Sequence, residues 1–399
     1  MTLSQNELMI VGKYFEDIQD YINLTKTCKN YEEILDLYRM NFIPIYNKSI
    51  FELFENLETY NLYNECCYKL ADLKTISYEI VPLSKIEKNE DKNEIYKNII
   101  LDYNIGIENL ISNTNICSIS DKCFKDCETL KNITLPYSIT KLGKNCFIGC
   151  TALTNVDLSM CFELKEIPEW CFKACYKLQN IKLSKSIKIL NDFCFKDCYE
   201  LQNINTDNII KFGIACFENC KKLGISTTIT INKSILNSAT FNGCECLKTI
   251  DLSMCDDMKE LPRYCFEDCK KLQNIKLSTN ITKIHEECFK GCNNLKNINL
   301  NNIVTIEKES FYNCENLVEL NLNKCKSIDK YSFKNCKNLK NIDLINCILI
   351  EDYSFENCYK LENINITKHV RIYKNSFKRC GKLDKNIINK INEHWKNIR

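Results

Sequence analysis

Cysteine is the side chain in this 399-residue chain with the most chemistry to offer: there are 28 of them, many in a fixed phrase. In CYKLQNIKLSKSIKILNDFCFKDC, residues 175–198, the ending CFKDC places two thiols four positions apart. Such pairs can serve as disulfide staples in a secreted chain, as metal ligands, or as nucleophiles. They can also be plain packing, because free cysteine behaves as a compact hydrophobe.

The phrase recurs, and the copies decide among these roles. CFKDC at 123–127 returns as CFIGC, CFKAC, CFKDC, CFENC, TFNGC, CFEDC, CFKGC, SFYNC, SFKNC, SFENC and SFKRC, ending at 376–380. The second cysteine stands in all twelve copies, from Cys127 to Cys380, whereas Thr240, Ser310, Ser332, Ser354 and Ser376 take the first slot in five of them. A disulfide partner could not be replaced in five copies while its mate persists; a small buried residue could. Zinc fails on inventory. A site takes four ligands, and the only histidines, His285, His369 and His394, lie far apart in sequence. HEEC at 285–288 is not H-E-x-x-H, and Glu286 and Glu287 read as solvated. Nothing beside the Cys-x-x-x-Cys pairs would lower a thiol pKa as a nucleophile requires. The cysteines read as filling, with no cofactor, no metal site and no catalytic constellation, so an enzyme is not expected.

The elements that position them follow from the period. Successive second cysteines are 23, 25, 23, 22, 24, 25, 23, 22, 22, 22 and 22 residues apart. A 20–29-residue period with Leu and Ile at set places marks a leucine-rich solenoid, about twelve coils here. In LQNIKL, 178–183, Leu178, Ile181 and Leu183 should point inward and Asn180 and Lys182 outward, a short strand. SIKIL, 186–190, supplies a second apolar segment, and CFKDC turns the chain into the next strand. One coil cannot bury its own apolar face, so neighbours must stack. Copies five and six are less regular: GISTTITINKSILNSATFNGC, 224–244, suggests a bend or bulge.

The unit CETLKNITLPYSITKLGKNCFIGC, 127–150, resembles the BspA-like leucine-rich repeat family, whose repeats read approximately C-x-x-L-x-x-I-x-[LI]-P-x-x-[LIV]-x-x-I-G-x-x-[AC]-F-x-x-C. The resemblance extends over residues 115–383 and includes Pro136 and Gly143. It implies curved solenoids that bind other proteins or host surfaces, and many members are secreted or membrane-anchored.

Both ends differ from the array. Residues 1–74 carry apolar residues at helical spacing and are expected to form a helical cap. The run Leu3, Leu8, Val11, Tyr14, Asp20, Leu24, Cys28, Lys29 and Tyr31 also resembles an F-box. That resemblance implies a substrate receptor docked on a cullin-type ubiquitin ligase adaptor. Residues 75–114 read as connector and entry to the array, with a charged stretch at 86–98. At the other end, Leu383, Ile387, Ile391 and Trp395 make one apolar stripe, a capping helix over 384–399.

Composition bounds the function. Fifty-four Lys and Arg against 52 Asp and Glu leave +2, and 45% of residues are hydrophobic. No clustered basic excess marks a nucleic-acid partner. No stretch reaches the roughly 18–20 apolar residues of a membrane span. No secretory leader is read at the N-terminus, so a cytoplasmic or nuclear location is expected. With nine glycines, no phosphate-cradling motif can be written.

What remains is the outward face of the first strand. One column repeats asparagine: Asn132, Asn155, Asn180, Asn203, Asn274, Asn297, Asn341 and Asn363, consistent with a structural ladder. The next varies as Thr134, Asp157, Lys182, Asp251, Lys276, Asn299, Asn321, Asp343 and Asn365. Mixed charge suits recognition of a protein by complementarity, and Asp157, Lys182, Asp251, Lys276, Asn299, Asn321 and Asp343 are the candidate partner-binding residues. The expected function is a non-catalytic protein-interaction module. A ligase receptor and a surface or adhesion protein are the alternatives.

Overall fold

The computed structural model describes residues 115–224, 229–231, 236–367 and 369–384, together with the strands Thr59–Leu62, Lys74–Pro82 and Glu94–Leu101. The chain divides into two compact units, Met1–Ser120 and Asp121–Arg399. The F-box-like residues and the C-terminal stripe beyond Leu383 lie outside the described residues.

In the first unit, Thr59–Leu62, Lys74–Pro82, Glu94–Leu101 and Ile116–Ile119 pair in that order, all parallel. Two of these strands occupy the stretch expected as connector, and Thr59–Leu62 is extended where helices were expected. Their sequences, KTISYEIVP and EIYKNIIL, are rich in β-branched and aromatic residues, which favours a strand. The charged residues of 86–98 run into the second of them and made that part read as a linker.

The second unit is a solenoid of parallel strands. Each coil contributes a first strand such as Asn180–Lys182 and a second such as Ile189–Leu190. First strands stack in register: Ile133 on Val156 on Ile181, and further along Ile250 on Ile275 on Ile298. Second strands do the same from Glu260–Leu261 to Arg371–Ile372. Their inward residues form the core with the leucine column, Leu178 and Ile181 included, while Leu183 is only half-buried.

The third side is the CFxxC turn, and here the coils are locked together. The central phenylalanines form one continuous stack from Phe124 to Phe377, with neighbouring ring centroids 5.0–5.7 Å apart. Beyond the apolar area it buries, each such pair contributes about 0.5–1.5 kcal/mol. The backbone makes a ladder of its own: Phe124 N donates to Cys146 O (2.7 Å), Phe147 N to Cys171 O (2.9 Å), and so on to Phe355 N and Ser376 O (2.8 Å).

Left-handed residues make that ladder possible. The residue before the second cysteine has positive φ in every copy, for example Asp197 (63°), Gly291 (74°) and Asn335 (65°). The residue before the first slot does too in eleven of twelve, including Trp170 (60°) and Tyr331 (59°). These inversions aim their N–H groups at the next coil: Trp170 N donates to Asp192 O and Asp197 N to Glu218 O. Ten of the twelve positions before the second cysteine are Asn, Asp or Gly, the residues that tolerate this conformation. At Gly291 an added Cβ would also run into the Asp268 carboxylate.

The irregular copies interrupt the strands but not the turns. First-strand pairing thins to a single bridge between Asn180 and Asn203, then resumes at Ile229–Thr230 against Ile250 and Asp251. Across the same copies the ring stack continues, Phe195–Phe217 and Phe217–Phe241 both at 5.6 Å.

The two cysteine slots are physically different. Second-slot thiols donate to the phenylalanine carbonyl of the preceding copy, as Cys269 Sγ to Phe241 O (3.2 Å) and Cys292 Sγ to Phe266 O (3.1 Å). Four of the five first-slot hydroxyls donate three residues back, as Ser332 Oγ to Asp329 O (2.6 Å) and Thr240 Oγ1 to Asn237 O (2.7 Å), while the buried Ser354 Oγ makes no such bond. A serine in the first slot finds an acceptor three residues back in all copies that carry a hydroxyl there but one; in the second its shorter C–O bond pulls away from the carbonyl and leaves a void. We therefore expect Cys265→Ser to change stability by less than about 1 kcal/mol and Cys269→Ser to cost about 1–3 kcal/mol. Urea denaturation of the two variants checks this, and equal losses would contradict the distinction.

Candidate functional site

The thiols come first, because they carry the greatest reactivity. No disulfide joins any two of the 25 described cysteines; 21 are buried, and Cys117, Cys123, Cys127 and Cys246 are half-buried. Cys146 Sγ and Cys171 Sγ lie 3.4 Å apart, hydrogen-bonded but not joined by a disulfide. Burial pushes the Cys171, Cys198, Cys269 and Cys292 thiols well above their ordinary range, Cys161 and Cys347 to about 11, and Cys325 to about 12. Cys150 is lowered instead, by a hydrogen bond with Cys175. A thiol held protonated and away from solvent is a poor nucleophile. Among the described residues, no group of three or more His, Cys, Asp or Glu could hold a metal ion.

The first-strand face is where polar groups gather. In the asparagine column, Asn155 Nδ2 donates to Asn132 Oδ1 (2.7 Å) and Asn180 Nδ2 to Asn155 Oδ1 (3.0 Å). Farther along, Asn363 Nδ2 donates to Asn341 Oδ1 (2.8 Å), and Asn341 Nδ2 to Glu319 Oε1 (2.6 Å).

The variable column has a local role that its composition did not suggest. Asp157 Oδ1 accepts from Ser159 N (2.9 Å) and Ser159 Oγ (2.6 Å), and Asp251 makes the same pair with Ser253. Asn299, Asn321 and Asp343 each accept from the N–H two residues on, at 3.1, 3.1 and 3.2 Å. These are Asx turns that end the strand. Where the column carries Lys182 or Lys276, Ser184 or Ser278 accepts the same kind of i+2 bond instead. The signal was present in the sequence as D-L-S, N-L-N and K-L-S triplets, but it reads as ordinary polarity until the turn is seen.

The candidate charges also pair with each other. Lys182 Nζ lies 3.3 Å from Asp157 Oδ2 and Lys276 Nζ 3.1 Å from Asp251 Oδ2, each across one coil. Both acids are held below their ordinary range, first by the serine hydroxyl and then by the serine N–H and the lysine. The other candidates meet in one place. Lys276, Asn299, Asn321 and Asp343 line a hollow of about 1000 Å³ across five consecutive first strands, with Ile275, Ile298, Leu320, Ile342 and Ile364 at its floor. Asp157, Lys182 and Asp251 lie outside it.

Two features escaped the sequence reading. Glu287 is largely buried and pairs with Lys290 (2.6 Å), and Glu286 pairs with Lys308 (3.4 Å), so neither is the solvated acid expected. His285 sits between Glu260 and Glu307, at 3.0 and 2.9 Å, partners 25 and 22 residues away that only stacking brings near.

Comparison with known proteins now adds to the geometry. The family described as BspA type leucine-rich repeat region matches residues 93–224, 225–324 and 304–397, in six copies. Among curated proteins none matches. A leucine-rich repeat protein of Bacteroides ovatus is similar over 83% of this chain and 84% of its own, at 21% identity and a TM-score of 0.52. One from Eubacterium ventriosum covers 72% of this chain and 83% of its own, at 18% identity and a TM-score of 0.43. No helix among the described residues is long and apolar enough to cross a membrane.

Two outcomes follow from this geometry. Thiol titration of the native protein should modify Cys117, Cys123, Cys127 and Cys246 and spare the buried 21, which react only after unfolding; peptide mapping identifies which. Asp251→Asn keeps the acceptor for Ser253 and should be mild, whereas Asp251→Ala should cost about 0.5–2 kcal/mol, as lost caps do. Because the folded pKa of Asp251 lies below its unfolded one, its contribution is present above the unfolded pKa and lost as pH falls through the folded value. Melts from pH 7 to pH 3 should therefore fall less steeply in Asp251→Asn than in the parent.

Proposed function

The chain belongs to the BspA-type leucine-rich repeat family, and on that premise we propose that it is a non-catalytic module that binds a protein partner through the outward face of its first strands. The observation that carries the reading is the hollow of about 1000 Å³ built by outward residues of five consecutive coils, Lys276, Asn299, Asn321 and Asp343 among them. It offers amides, which donate and accept at once, around an apolar floor. That mixture is the one protein interfaces use, with polar groups for register and apolar area for affinity.

A reducing compartment fits the same molecule. Thiols such as Cys146 and Cys171, 3.4 Å apart with no disulfide between them, would be exposed to cross-linking in an oxidising one whenever a coil opened.

The test is affinity purification from source-cell lysate with three proteins: the full chain, a chain lacking residues 1–45, and the full chain with Asn299→Arg, Asn321→Arg and Asp343→Arg. A partner lost at least tenfold with the triple variant and retained by the truncation supports the reading. A cullin adaptor lost only with the truncation would favour ligase receptor function through the N-terminal segment. Partners untouched by the triple variant, with its circular dichroism unchanged, would overturn the proposed face.

A further inference from the structure

Resting on that reading, we infer that the partner presents an acidic, extended segment whose carboxylates are set against Lys296 and Lys340, which immediately precede two strands of the hollow, and Lys248, one coil before it.

The acidic groups on this face already have partners within the fold. Asp251 is held by Lys276 at 3.1 Å, and Glu319 accepts from the Asn341 amide at 2.6 Å. Asp343 accepts from Ile345 N and from the Asn365 amide at 3.0 Å, and Glu362 is paired with Lys382 at 3.0 Å. The acids here are used by the fold itself. Lys248, Lys296 and Lys340 are not: all three are exposed, and none lies within 4.0 Å of a carboxylate among the described residues. Each immediately precedes the residue that opens its outward strand: Thr249, Asn297 and Asn341.

Spacing then suggests the form of the partner. The three lysines stand on alternate coils, and two strand spacings come to about 9.6 Å. A polyproline II segment repeats every three residues, about 9.3 Å. A β-strand returns a side chain to the same face only at about 6.7 or 13 Å. An acid at every third position of a polyproline II segment therefore meets each lysine in turn. Such a segment makes no internal backbone hydrogen bonds. Its carbonyls are left for the amide hydrogens of Asn341 and Asn363 that the ladder does not use, since each side chain carries two and spends one. Between the lysines, Gln273 and the exposed Val318 interrupt the charge. An unbroken polyanion would gain less from this row of lysines than one with spaced acids.

The test is fluorescence anisotropy of the full chain with labelled twelve-residue peptides at low and moderate salt. The probes are (Glu-Pro-Pro)4, (Gln-Pro-Pro)4, (Lys-Pro-Pro)4, a peptide of the first composition with its four glutamates adjacent, and a dT12 oligonucleotide. We expect saturable binding of (Glu-Pro-Pro)4 that weakens with salt and exceeds every other probe. Replacing Lys248, Lys296 and Lys340 together by Gln should weaken it about tenfold, from exposed charges worth a fraction of a kcal/mol each. Replacing Lys185 and Lys374 by Gln should leave it unchanged. Equal affinity for the clustered peptide overturns the spacing, and equal affinity for dT12 through the same lysines overturns a peptide partner. No saturable binding of any acidic peptide, in a protein whose hollow still captures its lysate partner, overturns this inference alone. Loss of that capture result as well would remove the reading beneath it.

Discussion

The unbroken column of phenylalanine turns fixes the pitch of the solenoid, and everything outward depends on it. The second strands are two residues long and the first two to four, too short to hold a register by themselves. Each of the first ten turns adds a buried ring stacked on its neighbours and three N–H groups aimed along the axis, and in eleven copies a thiol donates to the preceding phenylalanine carbonyl. Alternating left-handed residues are what direct those N–H groups outward from a sharp corner. Their conformational cost is offset where Asn, Asp or Gly occupies the site. At Trp170, Phe193 and Tyr331 it is borne by packing, since Trp170 stacks on Phe193 and Tyr331 on Tyr353. The thinned strand pairing near Asn203 is tolerated for the same reason: the turn side passes through it without interruption.

The repeat frame was legible because its determinants recur at a fixed interval and are buried. Leu178, Ile181, Phe195 and Cys198 have homologous positions in every coil, so period and inward direction could be read together. The second-slot cysteine could be read as packing, though its carbonyl bond could not, because the acceptor lies more than twenty residues upstream. The same separation hid the partners of His285 and the pairing of Lys182 with Asp157. Contacts between coils are local in space and distant in sequence, and a single chain read along its length does not display them. The strands at 74–82 and 94–101 were obscured differently. Their sequences mix charged residues with β-branched ones, and charge in sequence reads as solvent whichever element carries it.

The seven candidate residues separate along physical lines. Asp157 and Asp251 were chosen as recognition groups because they are charged and face outward. They are committed to the serine two residues on and to the lysine one coil away. Lys276 is paired with Asp251, yet with Asn299, Asn321 and Asp343 it still lines the hollow. An outward column in a stacked array serves its neighbours first, since identical positions sit one strand spacing apart. Asparagine suits this demand because one amide can accept from the coil after it and donate to the coil before it, keeping a hydrogen for solvent or a partner.

That division bears on how such a face acquires specificity. Residues that terminate strands or bridge coils cannot vary without disturbing the stack, so they impose a common polar ground on every coil. Freedom lies at positions whose side chains the array does not use, and on this face the clearest are the residues just before the asparagine column. There the chain carries lysine, glutamine, lysine, valine and lysine at 248, 273, 296, 318 and 340. Their spacing is set by the strands while their chemistry is unconstrained by them. A partner is then read as a pattern of charge at fixed intervals, and the rigidity of the phenylalanine column turns that pattern into a distance requirement.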